Sequence, residues 1–320
     1  MLRLIPALLL LSLTACSPDT MPRYATVQGL RVLGLNLNGT GNVAEASFNG
    51  ATFNPATLQV TPVLSDLHGG GRPLSFNLYY CLDPGVGLGA PPTCEGNATR
   101  VDVSMNTSFG PSGTFTSPEF TGIPTLGLSI DLSTMPPAVL ALYSARFTSL
   151  TSIQRFNGIS ILVFFEIFPT LSSSEKITTF KRLFISDGRV LNQNPGTGLD
   201  LAREDGTSLV SFPTVETFLK AVVPASNLET YTVQDSSGNP QTLTESIEVA
   251  WFLTGPADIE CSNDKDCTTD GFLALSRTSP GELNRFTPPK VPLPVGRDRV
   301  LIGIVKDNRG GNAVLRVQAL

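Results

Sequence analysis

The chain has one histidine, one tryptophan and four methionines among 320 residues, and only 15% of it is charged. With His68 as the sole imidazole, no catalytic set that needs a second one can be assembled. Positive charge is also scarce, 22 Lys and Arg against 27 Asp and Glu, so the clustered cations that a nucleic-acid backbone requires are missing. No apolar run is long enough to cross a bilayer: Leu4 to Leu13 is roughly 10 residues, and at about 1.5 Å per residue it spans about half of a ~30 Å hydrocarbon core. At 41% hydrophobic residues the chain is nevertheless too apolar to be disordered, and its length suffices for two domains with real cores.

What the chain does have is 29 glycines and 25 prolines in short scattered groups, with Thr, Ser, Val, Phe and Leu filling the stretches between. Short strands joined by tight turns read this way. The two halves echo each other. Pro73 to Tyr80 alternates polar and apolar positions before the Cys81 to Cys94 loop, and Glu245 to Phe252 does the same before the Cys261 to Cys267 loop. Each half then closes with a hairpin pattern, Ile159 to Phe168 with Thr178 to Ile185, and Val300 to Val305 with Ala313 to Ala319. The turn Lys306-Asp307-Asn308-Arg309-Gly310-Gly311 carries the Asp, Asn and Gly of a tight reversal. A helix is expected from Pro136-Pro137 to about Phe156, with Val139, Leu140, Tyr143, Phe147 and Leu150 on one face, and a shorter one from Thr214 to Val222. The breaker cluster Asn192 to Gly196 marks the boundary. The fold class expected is mainly β, a duplicated sandwich in which residues 29–191 form the first domain, with one helix inserted, and 192–320 the second.

The N-terminus is a secretory signal by its order of parts: Arg3, then the apolar run, then small residues leading to a cysteine. Leu13-Thr14-Ala15-Cys16 resembles the lipobox of bacterial lipoproteins. The resemblance implies a signal peptide over residues 1–15, acylation of Cys16 and a linker to residue 28. Ser17 stands where Asp is the usual inner-membrane retention signal, so by the same resemblance the outer membrane is favoured. Acyl chains contribute about 0.8 kcal/mol per buried methylene, so the two or three on such a cysteine make a lasting anchor.

Setting Cys16 aside leaves Cys81, Cys94, Cys261 and Cys267, an even set suited to an oxidising compartment. Cys81 with Cys94 and Cys261 with Cys267 are the favoured pairs of three connectivities, because each closes a polar loop directly after an apolar strand. A zinc site fits less well, since no C-x-x-C and no nearby histidine occur.

Other segments resemble the two-domain lipoproteins abundant in myxobacteria and their relatives. The matching pieces include Gly29-Leu30-Arg31-Val32-Leu33, Gly71-Arg72-Pro73-Leu74, Lys181-Arg182-Leu183 through Asn192-Gln193-Asn194-Pro195, Leu243-Thr244-Glu245-Ser246 and Asp307 to Gly311. The terminal part of each half looks like an immunoglobulin-like or PKD-like module. The resemblance implies two tandem immunoglobulin-like β-sandwiches at the cell envelope, and no reaction.

Catalytic-looking patterns fail on inventory. His68-Gly69-Gly70-Gly71 matches the oxyanion-hole motif of esterases, but neither a Gly-x-Ser-x-Gly elbow nor a second histidine accompanies it. Ser173-Ser174-Glu175-Lys176 matches Ser-x-x-Lys without its companion motifs. Trp251 could stack a sugar, though a lone Trp in an alternating strand is more often core. No cofactor is expected beyond a Ca²⁺ ion that Asp258, Asp264, Asp266 and Asp270 could ligate, and solvated charge is the usual reason for such a loop. The function expected is a non-catalytic binding or structural module, lipid-anchored to the envelope, with a protein or polysaccharide partner and no nucleic acid. The alternative is an accessory subunit of a secretion or outer-membrane assembly complex. Mass spectrometry of the protein from its native membrane should find the chain starting at an acylated Cys16, and an unmodified Cys16 would refute the anchor.

Overall fold

β-Branched and aromatic stretches bounded by Gly and Pro form strands wherever a neighbouring strand can complete their backbone hydrogen bonds. The computed structural model describes residues 30–66, 71–85, 92–109, 120–124, 126–253, 258–261, 276–287 and 300–318. The described residues are mainly β, 50% in strands and 12% helical, arranged in several sheets.

Two sheets are built from residues before 190. In the first, β4 (Thr57–Asp66) pairs antiparallel with β1 (Leu30–Gly39) on one side and with β7 (Phe120–Gly122) and β8 (Ser129–Asp131) on the other. The second has six strands in the order β3 (Phe53–Asn54), β2 (Ala46–Phe48), β10 (Ile177–Ser186), β9 (Ile159–Pro169), β5 (Leu74–Leu82) and β6 (Val101–Phe109). Only the β2–β10 contact is parallel. Leu35, Leu37, Leu58 and Val60 of one sheet meet Phe76, Leu78, Tyr80, Val163 and Phe165 of the other in one apolar cluster. Helix α1 (Pro137–Thr148) adds Tyr143 and Phe147 to it.

Residues after 199 form three more sheets. β11 (Asp200–Arg203), β12 (Thr217–Val222), β18 (Asn284–Thr287) and β16 (Asp258–Cys261) make one, and β17 (Ser276–Thr278), β15 (Ile247–Leu253), β19 (Val300–Asp307) and β20 (Asn312–Gln318) another. Leu201, Leu219, Ala221 and Phe286 face Val249, Trp251, Leu301 and Val305 across a second cluster. β13 (Thr230–Gln234) and β14 (Pro240–Thr244) form a separate hairpin.

The chain departs from the sequence expectations at three places. The expected helix to Phe156 is two: after α1, Thr151 restarts the chain as the N-cap of α2 (Ser152–Asn157), its side chain accepting from Gln154 N while Gln154 Oε1 accepts from Thr151 N. The expected helix from Thr214 to Val222 is instead strand β12, because β11 and β18 flank it and take its backbone bonds, which periodicity over so short a run does not reveal. The Pro73 to Tyr80 and Glu245 to Phe252 patterns predict strands with one buried face, yet β5 is buried along nearly its whole length and β15 on both faces where its burial is described.

For β15 the reason is the meeting of the halves. Val249 and Trp251 face their own core, while Ala250 and Phe252 point the other way and join Val300, Ile302 and Ile304 against Leu33 and Val63. β1 approaches β19 so closely that a Cβ on Gly34 would lie 2.6 Å from Ile304 Cδ1. Asparagines cap the carbonyls of β1: Asn194 Nδ2 donates to Leu37 O (2.9 Å), Asn312 Nδ2 to Leu35 O (3.0 Å), and Asn312 N donates to Asn194 Oδ1 (2.8 Å). On the far side, Asn157 of α2 clasps the hairpin, donating to Gln234 O (2.7 Å) and accepting from Gln234 N (2.8 Å).

Between these contacts lies a buried ionic cluster. Arg309, in the turn between β19 and β20, is 6% exposed and donates through Nη2 to Glu45 Oε2 (2.9 Å) and Val190 O (3.0 Å). Its Nη1 reaches Glu245 Oε1 (3.4 Å), and its guanidinium lies 4.6 Å from the centre of the Tyr231 ring. Glu45, 1% exposed, also accepts from Arg189 Nη2 (2.7 Å) and Asn192 N (3.0 Å). Asp307 Oδ1 closes the turn by accepting from Arg309 N (2.8 Å) and Gly311 N (2.7 Å). Removing one member of such a pair strands a buried charge, which costs about 3–5 kcal/mol. Arg309→Met should lower unfolding stability by roughly that amount in urea titrations, against a change near zero for an exposed control such as Arg31→Met.

Candidate functional site

The disulfide-closed loop of the first half carries the most developed surface feature. β5 ends at Leu82, and Cys81, one residue earlier, is bonded to Cys94 with their Cα atoms 5.8 Å apart. Both cysteines are buried with Tyr79, Leu162 and Phe164 on the outer face of the six-stranded sheet, which is why β5 has no solvent face. Past the bridge the chain is tied back to the strand it left. Asn97 Nδ2 donates to Leu82 O (3.1 Å), Leu82 N donates to Thr99 Oγ1 (3.0 Å), and Asn97 Oδ1 accepts from Thr99 N (2.9 Å) and Thr99 Oγ1 (2.7 Å).

Asp83 anchors the other side of the loop, accepting from Ser160 Oγ (2.8 Å), Arg182 Nε (2.9 Å) and Gly85 N (3.0 Å). Burial alone would raise its pKa, but the bonds from Arg182, Ser160 and Gly85 outweigh that and hold the carboxyl below its usual range. A neighbouring group on the same sheet face behaves alike: Glu166 accepts from Asn77 Nδ2 (2.8 Å), Tyr79 OH (2.9 Å) and Lys176 Nζ (3.2 Å). Burial opposes its ionisation, and those three bonds prevail.

Between the loop and α1 lies an open cleft of about 680 Å³. Pro84, Gly85, Asn97 and Thr99 line one wall, and Leu142 and Arg146 of α1 the other. α1 starts at Pro137 because the ring presets φ and the first helical N–H needs no partner. Tyr143 and Phe147 bury the adjoining stripe, about 100° around the helix, so Leu142 and Arg146, four residues apart, share the face turned to the cleft. Leu142 is 43% exposed, and Arg146 makes no ion pair among the described residues. The polar groups of the loop wall are spent on one another. The cleft therefore offers an apolar side chain and a cation rather than a proton relay.

No family model matches the chain, and no curated protein does. Among solved structures, a Salmonella alpha-2-macroglobulin reacted with methylamine aligns over 94% of this chain at 11% identity, with a TM-score of 0.20. This chain spans 17% of that protein's length. A structure concerned with host cell surface retention of a 1.5-MDa bacterial ice-binding adhesin aligns over 90% of this chain and 97% of its own, at 10% identity and a TM-score of 0.18. Scores this low assign neither fold nor activity.

Of the residues singled out by sequence, Cys81 and Cys94 are joined as expected. Cys16, Cys267 and His68 lie outside the described residues, as do Asp264, Asp266 and Asp270, so the second disulfide and the calcium loop do too. Asp258 and Cys261 begin and end β16, opposite Thr287 and Asn284. Among the described residues no three His, Cys, Asp or Glu side chains gather to hold a metal. Trp251 is fully buried and donates from Nε1 to Thr278 Oγ1 (2.8 Å), so it is core and stacks no sugar. Lys176 turns to Glu166, while Ser174 Oγ bonds Ser172 Oγ (2.8 Å). Leu142 and Arg146 were not singled out by sequence. Their only signal is that they fall off the apolar stripe of α1, which any solvated pair shares. In the chain-entropy model a closed loop of about 15 residues is worth ~3 kcal/mol. Replacing Cys81 and Cys94 together by Ala should lower unfolding stability by about that amount and broaden the amide resonances of Leu82, Asp83 and Gly85, as read by calorimetry and NMR.

Proposed function

We propose that the chain is a non-catalytic binding or structural module of the bacterial envelope, carried on lipid at Cys16. In this reading it consists of two tandem immunoglobulin-like β-sandwiches, one on each side of the Asn192–Gly196 segment, and it contacts a protein partner at the cleft between α1 and the Cys81–Cys94 loop. The carrying observation is the cleft itself: a loop fixed at its base by a disulfide, facing Leu142 and Arg146 on a helix whose other side is locked into the core. Contact loops held on a rigid scaffold lose little entropy on binding. An apolar and a cationic side chain four residues apart suit an extended peptide with an acidic residue beside an aliphatic one.

Two further points support the reading. The sheets before residue 190 and those after 199 each enclose an apolar cluster of their own, as a pair of sandwiches would. A buried disulfide suits an oxidising compartment outside the cytoplasm. The non-catalytic assignment rests on Asp83, whose carboxylate is committed to Arg182, Ser160 and Gly85 and braces the loop.

A photoreactive residue placed at position 142 in cells should crosslink one recurrent envelope protein, and Arg146→Glu should abolish that adduct without changing thermal stability. Recovery of no protein adduct from position 142, or an adduct indifferent to Arg146→Glu, would overturn the assignment of the cleft. Retention of the adduct in a stoichiometric membrane complex would make the partner an assembly and the chain its accessory subunit.

A further inference from the structure

Three polar side chains meet at the turn that follows β19, and two of them carry atoms without a partner. Asn192 is fully buried. Its Nδ2 donates to both carboxylate oxygens of Asp307, each at 3.2 Å, while its Oδ1 accepts nothing among the described residues. Lys181, on β10, has an Nζ shielded from solvent and likewise without a hydrogen-bond partner among the described residues. It pairs across the ladder with Val163 of β9, a core residue, so its stem runs inward from the sheet. The turn touches both neighbourhoods. A Cβ on Gly310 would lie 3.8 Å from the carbonyl oxygen of Arg182, next to Lys181, and one on Gly311 would lie 3.0 Å from that of Gln193, next to Asn192. Asp307 stands between the two, bonded to Asn192 and acting as the anion on Lys181. Its Oδ1 also accepts from Arg309 N and Gly311 N, which leaves Oδ2 bonded to Asn192 alone among the described residues. Buried donors and acceptors are rarely left unpaired.

We propose that Lys181 and Asn192 are a self-crosslinking pair, in which Nζ condenses with the side-chain carbonyl carbon of Asn192 to give an intramolecular amide and free ammonia, Asp307 carrying the proton. The amine attacks only as the free base. Burial, with Asp307 opposing and Lys306 adding, pushes the Lys181 ammonium down to about 7 from an ordinary 10.5, so a large share of the amine is neutral near neutral pH. The carboxamide is held by the carboxylate that a proton transfer needs, and it is closed off from water that would compete.

The step balances without an oxidant or a cofactor. The Nζ lone pair forms the new bond to Asn192 Cγ while the carbonyl pair moves onto Oδ1. Asp307 Oδ2 takes a proton from Nζ and passes it to Nδ2, the Cγ–Nδ2 bond breaks as the carbonyl reforms, and ammonia leaves. Asp307 ends as it began. The product exchanges an amine that burial penalises for a neutral amide, and departure of ammonia makes the step one-way. The bond staples the boundary segment, whose Asn194 caps β1, to β10, and unlike the Cys81–Cys94 bridge it is not opened by a reductant.

Peptide mass spectrometry of the purified full chain reads this directly. A trypsin digest should contain a branched peptide in which residues 177–182, uncleaved after Lys181, are joined to residues 190–203 through Asn192. Its mass should fall short of the two linear peptides together by about 17 Da, the mass of ammonia. Lys181→Met and, separately, Asp307→Ala should return Asn192 to a linear peptide of full mass. The wild-type digest decides even if a variant fails to fold. Linear peptides with an unmodified Lys181 and Asn192 overturn the crosslink, as does an ammonia loss at Asn192 that persists in Lys181→Met, which marks a succinimide instead. A branched peptide that survives Asp307→Ala overturns the proton route.

Discussion

The buried pair of Arg309 and Glu45 is the constraint on which the arrangement of the chain depends. Glu45 sits just ahead of β2 in the first half and Arg309 in the last turn of the second, and neither charge has water to turn to. Desolvating two such ions is expensive, and their attraction offsets the cost only when remaining lone pairs and N–H groups are also used. Here most of them are: Glu45 takes Arg189 and the Asn192 amide, and Arg309 takes Val190 O, Glu245 and the face of Tyr231, leaving Arg309 Nε without a partner among the described residues. A pair this particular in geometry adds directional specificity that the apolar strip beside it lacks, because Leu33, Val63, Phe252 and Ile302 would tolerate many small rotations.

Once the halves are held this way, burial on both faces of the central strands follows. Ala250 and Phe252 have no reason to be apolar in an isolated sheet with one solvated side, and their partners are Leu33 and Val63 of the other half. The edge of β1 is treated likewise, its carbonyls at Leu35 and Leu37 taken by Asn312 and Asn194 rather than by water or a foreign strand. The Asn157 clasp on Gln234 fixes the other end of the contact, the side-chain amide of Asn157 filling both the donor and the acceptor of the Gln234 backbone. The cleft beside the Cys81–Cys94 loop is thereby presented from a scaffold with little freedom of its own.

The elements that were legible from sequence share a local cause. Alternation and turn residues located β9, β10, β19 and β20, since the period of two and the Asp-Asn-Gly reversal act within a few residues. The first disulfide was legible because it is local too. Misreadings arose where a partner decided the outcome, as for β12, whose short apolar run suits helix and strand alike until β11 and β18 are beside it. Of the cleft, the sequence marked the loop and nothing of its opposite wall, because Leu142 and Arg146 matter only once α1 is packed with Tyr143 and Phe147 inward.

By itself the sequence determined a mainly β chain with few charges, no second imidazole, and a cysteine pair closing a polar loop, all properties of composition and near-neighbour spacing. Tertiary structure alone decided that Asp307, Arg309 and Gly311 of a turn reading Asp-Asn-Arg-Gly-Gly would be buried while Asn308 stays exposed. Such a turn is exposed in almost any isolated hairpin, and the approach of Glu45, more than two hundred residues away, together with Glu245 makes a buried arginine there tolerable.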